Sequence, residues 1–411
     1  MIPYRRKTLA NGLTVLANRD RQSKLAAVNM LYKVGARNEN PSRTGFAHLF
    51  EHLMFRGTRA VPNFDLPVQM ASGDNNAFTN NDYTDFYMTL PAVNIETALW
   101  LESDRIEGLE ITPEKLETEK KVVIEEYRQR YLNQPYGDQN LLLRALAYKV
   151  HPYRWAAIGL TPDHIAEATL DDVEAFYRAH YHPSNAVLSL SADMDEERMI
   201  DLAEKWFGRL PDRPSSAEPI PQEPPQREAR RQEVERDVPA TTVTVAYPMG
   251  SRTSADFYTA DLVSDLLSGG DSSRLYTHLV KERRLLSSVN AYITGDLDPG
   301  LFVFTGQLLP ETTPEQAEAA FRDEIETLGR TPAADREMQK VKNKFEANTL
   351  FGEINVMNKA MNLGFYEMLG DPELINRETD LYRAVTPEAI MEFCGRVLRP
   401  EHSSTLIYRA E

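Results

Sequence analysis

The sequence predicts an α+β protein made of two homologous domains, each a mostly antiparallel sheet with helices packed on one face. Three observations predict it. First, a chain of 411 residues is too long for one ordinary core. Second, PDRPSSAEPIPQEPPQREARRQEVER is dense in Pro, Glu and Arg and nearly devoid of large apolar side chains, so it reads as extended linker. This divides the chain into domains at 1–210 and 238–411, joined by a linker at 211–237. Third, the two domains repeat one pattern. VNMLYKVGARNENPSRTGFAHLFEHLMF and VTVAYPMGSRTSADFYTADLVSDLLSGG each give a strand, a Gly-x-Arg turn (Gly35 and Arg37; Gly250 and Arg252), a polar loop and an amphipathic helix.

The elements follow in order. Residues 5–33 read as two or three strands joined at Asn11-Gly12. Residues 85–91 form another strand. Residues 93–107 and 113–131 read as long helices, the second opening at Thr112-Pro113. DDVEAFYRAHYHPSNAVLSLSADM and EAIMEFCGRVLRPEHSSTLIYRAE close the two halves alike, as helix, turn and strand. SGGDSSRL, residues 268–275, lacks the lysine of a phosphate loop and reads as a turn opening a helix at Asp271 or Ser272.

Composition excludes several classes of function. Hydrophobic residues at 42% and charged residues at 26% are globular proportions. A net charge of −16 repels nucleic acid and tolerates a basic peptide or protein. No run of apolar residues is long enough to span a bilayer. The N-terminus has no apolar signal core, which leaves a bacterial cytoplasm, or a periplasm after loss of a leader, as the expected location. The single cysteine, Cys394, forms no internal disulfide and sits in an amphipathic pattern that suits a buried structural thiol.

The chemistry concentrates in FAHLFEHLMF. On a helix His48 and His52 lie one turn apart with both imidazoles on one face, a clamp for Zn²⁺. Glu51 reaches the rim of the same site, where it suits a general base acting on a metal-bound water. The helix of the second half that matches this one carries no His or Glu at matching places. A catalytic zinc takes three protein ligands, and candidates for the third lie in ETEKKVVIEEYRQR. Glu119 and Glu126, seven apart, share a helix face, while Glu125 belongs with solvent. The residues alone leave the choice among these glutamates open, including which of them would orient a ligating histidine from outside. His151, His180 and His182 read better as structural or capping residues.

H-x-x-E-H is an inverzincin motif. Together with G-x-R…G-x-x-H before it, G-x-x-N-A-x-T in GDNNAFTNNDYTDFY, the E-x₆-E helix and the duplicated domain, it gives nearly the whole chain a resemblance to the pitrilysin/insulysin family of zinc peptidases. The branch it resembles is that of half-length subunits, which includes mitochondrial processing peptidase and bacterial two-subunit relatives. The resemblance implies one zinc per chain held by His48, His52 and Glu126, with Glu51 as base and Glu119 orienting a ligand from the second layer. Glu126 lies 74 positions after His52, which suits the family. It also implies that residues 73–79 form an edge strand receiving an extended peptide by β-augmentation, with Asn76 and Ala77 beside the scissile bond and Phe78 lining a side-chain pocket. The chain would then be one half of a clamshell.

One feature departs from the family. Active members carry an Arg and a Tyr seven residues apart in a C-terminal domain. In HLVKERRLLSSVNAY, Val280 and Ser287 stand at those places, with Arg283, Arg284 and Tyr292 out of register. The expectation is a zinc endopeptidase subunit working with a related partner subunit that supplies the pair. The competing readings are a non-catalytic structural or assembly subunit of a processing-peptidase-like complex, and a zinc hydrolase acting on something other than a peptide.

Overall fold

A computed structural model describes residues 1–212 and 219–411. Residues 213–218, inside the expected linker, lie outside the described residues. In chain order the first half contains β1 (Arg5–Thr8), β2 (Thr14–Arg19), β3 (Leu25–Tyr32), α1 (Phe46–Leu53), α2 (Asp65–Met70), β4 (Asp74–Thr79), β5 (Thr84–Pro91), α3 (Ile95–Gly108), α4 (Pro113–Tyr127), α5 (Gln139–Ala147), α6 (Pro162–Ala166), α7 (Leu170–His180), β6 (Ala186–Ala192) and α8 (Glu196–Phe207). The second contains β7 (Arg230–Arg236), β8 (Thr242–Pro248), α9 (Phe257–Ser268), β9 (Leu286–Ile293), β10 (Leu301–Leu308), α10 (Pro314–Arg330), α11 (Asp335–Gly352), α12 (Val356–Met368), α13 (Leu374–Ala384), α14 (Pro387–Val397) and β11 (Ser404–Ala410).

Two sheets result. The first has the order β1-β2-β6-β3-β5-β4 and the second β7-β11-β8-β10-β9. Apart from β1 the two orders correspond strand for strand, the structural face of the duplication. Both sheets are mixed: β2 pairs with β6, and β7 with β11, in parallel, while every other pair is antiparallel. A parallel neighbour requires a long crossover, and β6 returns beside β2 only after α1 to α7. β7 lies within the stretch that composition marks as linker. Its polar alternation suits an edge strand, and it is held by the full length of β11.

By chain contacts the described residues form two compact units, Met1–Arg128 with Trp155–Pro221 and Leu350–Arg377, and Gln129–Arg154 with Gln222–Thr349 and Glu378–Glu411. In the first unit α1, α3 and α8 cover one sheet face. The opposite face, with Leu16, Leu31 and Val187, packs on Leu363 and Tyr366 of α12, a helix from the second half of the sequence. Gly364 allows this approach, since a Cβ there would come within 3.0 Å of Ser189 Oγ and 3.1 Å of Asn29 Nδ2. β3 is buried along seven of its eight residues because both its faces are covered. The second unit repeats the arrangement with the reciprocal helix. Val243, Phe302, Phe304 and Ile407 belong to a core built with α9, α10 and α14, while Ala246, Val303 and Leu406 pack on Leu143 and Leu146 of α5, from the first half.

Helix ends follow capping chemistry. Thr112 accepts from Lys115 N–H with Pro113 at the first helical position, as the sequence predicts. α4 ends at Tyr127 and widens into a π-helical turn over Arg128–Leu132 instead of running on as regular helix to 131. The helix expected to open at Asp271 or Ser272 instead starts at Arg274, after a turn, and becomes π-helical over Tyr276–Glu282.

Candidate metal centre and peptide edge

Helix α1 is held by its apolar face. Phe46, Ala47, Leu49, Phe50 and Leu53 are buried, and Phe50 stacks on Phe176 at 5.3 Å and Tyr181 at 5.2 Å. That leaves His48, Glu51 and His52 half-buried on the other side of the helix. The two imidazole centroids are 4.8 Å apart and nearly perpendicular.

Helix α4 packs against α1 and brings one carboxylate to both rings. Glu126 Oε2 lies 3.6 Å from His48 Nε2 and 3.4 Å from His52 Nε2. Ligand atoms at ~2.0–2.1 Å from a tetrahedral zinc stand about 3.3–3.4 Å apart, so these separations fit the edges of such a site. The donor set, two imidazole nitrogens and one carboxylate oxygen, also fits zinc. Among the described residues this is the one group of three His, Cys, Asp or Glu side chains whose candidate ligand atoms lie within 4.8 Å of one another.

Glu119, one face-repeat earlier on α4, takes a different place. It is buried, and its Oε2 lies 3.2 Å from His52 Nδ1, the ring nitrogen turned away from Glu126. Arg56, one turn beyond His52, donates to the other oxygen of Glu119. Burial pushes the Glu119 carboxyl up, but the His52 hydrogen bond and the Arg56 charge outweigh it and hold it below the usual carboxylate value. Burial pulls the His52 imidazole down, and the hydrogen bonds and charges of Glu119 and Glu126 outweigh that and raise it to about 9. Glu125 is exposed, as its position on the helix predicts. The sequence does not single out Arg56, although its i+4 spacing from His52 places it on the same face.

The strand β4 forms one edge of the first sheet and, among the described residues, pairs only with β5. The opposite edge, β1, is guarded by Arg5, Arg6 and Lys7, whereas β4 carries no cation and no proline. Ala77 is opposite Phe86, whose ring meets Phe55 just beyond α1, so Ala77 lies on the α1 face. Asn76 and Phe78 lie on the other face, where Phe78 meets Tyr83 and Tyr87. The Ala77 N–H donates to Asn76 Oδ1 at 2.8 Å and therefore points away from β5. Strand alternation then puts the outward-facing main-chain groups at Asn75, Ala77 and Thr79. Burial raises the Tyr87 phenol, and the charges of Asp85, Asp74 and Glu51 add to it, which places Glu51 within electrostatic reach of the strand that carries β4.

Of the remaining histidines, the three weighed from the sequence take structural places. His151 is buried between Tyr148 and Tyr153 with Nε2 3.2 Å from Asp298, His180 is buried against Phe176, and His182 Nδ1 lies 3.0 Å from Ser184 Oγ. In the second unit Val280 packs against the core, and Ser287 is exposed and bonds to Gln307. Arg283 pairs with Asp323 at 3.6 Å, and Tyr292 is part-exposed on β9. Cys394 is buried in the core and free of any disulfide. Among the described residues no helix is long and apolar enough to cross a membrane.

Comparison with known proteins agrees with this architecture. The family model described as insulinase, peptidase family M16, matches residues 14–153, and that described as peptidase M16 inactive domain matches residues 167–345. The zinc protease PqqE of Helicobacter pylori is 31% identical over 341 residues, which cover 82% of this chain and 77% of that protein. A probable mitochondrial-processing peptidase subunit beta of Schizosaccharomyces pombe is 26% identical over 316 residues, covering 72% and 69%. The crystal structure of a protease from Helicobacter pylori superposes with a TM-score of 0.94 at 27% identity over the full length of both chains. From its two duplicated domains to this extent of shared sequence, the chain belongs to the M16 peptidase family.

Proposed function

We propose that the chain is the zinc-bearing subunit of an endopeptidase that hydrolyses extended peptides, and that a related subunit supplies the Arg/Tyr pair missing at Val280 and Ser287. The observation that carries this reading is the approach of one carboxylate, Glu126, to both His48 and His52 at separations that fit a tetrahedral zinc, beside an open strand edge. Bound Zn²⁺ would polarise the scissile carbonyl and acidify water.

The chain's own residues account for the rest. The outward main-chain groups of Asn75, Ala77 and Thr79 pair with the substrate backbone, and the small Ala77 side chain lets that backbone lie close on the α1 face. Asn76 and Phe78 meet the substrate from the other face of the strand. Glu51 takes the proton from the attacking water and delivers it to the departing amine. Glu119 accepts from His52 Nδ1–H, which fixes the ring so that Nε2 faces the metal position, and Arg56 holds Glu119 in turn. A relative named as a processing-peptidase beta subunit supports a hetero-oligomer. The bacterial relative named a zinc protease supports zinc and a bacterial compartment, cytoplasmic or periplasmic.

The inactive-domain description matched by residues 167–345 supports a narrower version of the structural-subunit alternative, with the second domain as scaffold. Turnover of a quenched fluorogenic peptide decides between them. The isolated chain is expected to cleave slowly, and addition of the related subunit from the same organism to raise turnover by about 100-fold or more, the scale of one oxyanion-stabilising group. A chelator should abolish it. Full-rate cleavage by the chain alone would refute the partner requirement, and none with the partner would favour the structural subunit.

A further inference from the structure

The helix that carries His48, Glu51 and His52 is only eight residues long and begins without a side-chain cap of its own. Its N-cap is Gly45, in the left-handed region at φ 90. A Cβ at Gly45 would come within 2.9 Å of Ile158 O, so that position is confined to glycine and cannot supply a capping oxygen. The first N–H groups of any helix lack partners within it, and a helix this short does not hold its own start. The partner comes from elsewhere. Glu39, at the end of the Gly-x-Arg turn, is 5% exposed. Its Oε2 accepts from Gly45 N–H at 2.9 Å and its Oε1 from Ala47 N–H at 2.9 Å. Trp155 Nε1–H donates to the same Oε2 at 3.1 Å and to Ala36 O at 3.0 Å, which ties the carboxylate to a rigid support. Ala47 is the residue immediately before His48.

The duplicated domain provides an internal comparison. Counting from Gly35 and Gly250, the place of Glu39 falls on Ser254. The Ser254 hydroxyl is buried and makes no hydrogen bond among the described residues, and the matching helix α9 has no side-chain cap. The copy without metal-type residues thus also lacks the carboxylate clamp. Burial pushes the Glu39 carboxyl up against the pull of its N–H donors, a cost that a purely structural cap made of serine or threonine would not carry.

We propose that Glu39 is a positioning residue for the metal centre: by gripping the N–H groups of Gly45 and Ala47 it fixes where α1 begins, and so sets His48 at its distance from Glu126. The proposal rests on the zinc reading above. Glu39→Gln keeps the shape but offers one acceptor oxygen, and its amide NH₂ faces the remaining donors. Zinc affinity is measured by chelator competition, the geometry by the visible spectrum of the Co²⁺-substituted protein, and fold stability by melting of the metal-free protein. Leu202→Ala, in the buried face of α8, serves as a control that destabilises the same unit away from α1.

The expected result is a loss of zinc affinity of about 10–100-fold with a changed Co²⁺ spectrum for Glu39→Gln, while Leu202→Ala binds zinc as wild type does. Should Glu39→Gln not fold, Glu39→Asp keeps the carboxyl group but is one methylene short, and it is expected to lower zinc affinity and alter the Co²⁺ spectrum in the same sense. Affinity within about twofold of wild type in the folded variant, with lowered melting alone, would overturn the proposal and leave Glu39 a structural cap. Wild-type protein that bound no zinc would overturn the zinc reading and this proposal with it, an outcome separate from any result with the variants.

Discussion

Replacing Glu119 with Gln tests how the outer layer of the site works. The Glu119 side chain is buried, with one oxygen 3.2 Å from His52 Nδ1 and the other taken by Arg56. Gln has a single acceptor oxygen, so it can serve His52 or Arg56 but not both, and its NH₂ then opposes the other donor. Loss of an outer hydrogen-bond partner typically costs 10–100-fold in metal affinity, or about 1.4–2.7 kcal/mol. Arg56 is 45% exposed and can turn to water, so the fold itself should lose little. The assay is thermal melting with and without saturating zinc, together with chelator competition. The stabilisation conferred by zinc is expected to shrink by about 1.4–2.7 kcal/mol while the metal-free melting point moves little. An unchanged zinc affinity, or a loss confined to the metal-free protein, would refute the assigned role.

Other outcomes follow from the same physical account. Arg105 is buried with its guanidinium 4.0 Å from the Phe64 ring, 4.5 Å from Phe86 and 5.3 Å from Phe55, and 3.4 Å from Glu102. Arg105→Ala should therefore cost about 3–5 kcal/mol by urea unfolding, because it strands the buried Glu102 charge, and a paired Arg105→Met/Glu102→Leu change should recover most of it. Burial, and secondarily His182, lowers the His180 imidazole from 6.5 to about 4. The folded state therefore binds the proton less readily than the unfolded one. Its contribution is intact above pH ~6.5 and is lost as pH falls toward 4, by up to about 3 kcal/mol. His180→Gln should flatten the stability profile in that window, and an unchanged slope would count against it. Burial pushes the Cys394 thiol up to about 12, so a thiol reagent at neutral pH should label it only as fast as the protein unfolds. Rapid labelling of the native protein would contradict its place in the core.

Much of the site was legible because it is local. The i, i+4 spacing of His48 and His52 fixes their common face whatever the rest of the fold does. The choice between Glu119 and Glu126 was not legible from the residues, since seven positions return to the same face. The structure separates them by height along α4: Glu126 reaches both Nε2 atoms, while Glu119 reaches only the far nitrogen of His52. Glu39 was invisible for another reason. Its partners are main-chain N–H groups, which every residue has, and only the bend of the chain brings them to a carboxylate. The exchange of α5 and α12 between the two sheets escaped for a similar reason. An apolar stripe shows that a helix packs but not on which sheet, so the sequence predicts helices on one face only. Composition hid β7, because an edge strand rich in charge looks like linker until β11 pairs with it.

The proposed chemistry stands on Glu51 as the base beside a zinc held by His48, His52 and Glu126. The most direct test measures zinc content and peptide turnover together, for wild type and Glu51→Gln, in the presence of the related subunit. About one zinc per chain is expected in both proteins, with turnover in wild type only. Wild-type protein without zinc, or Glu51→Gln with wild-type turnover, would contradict it.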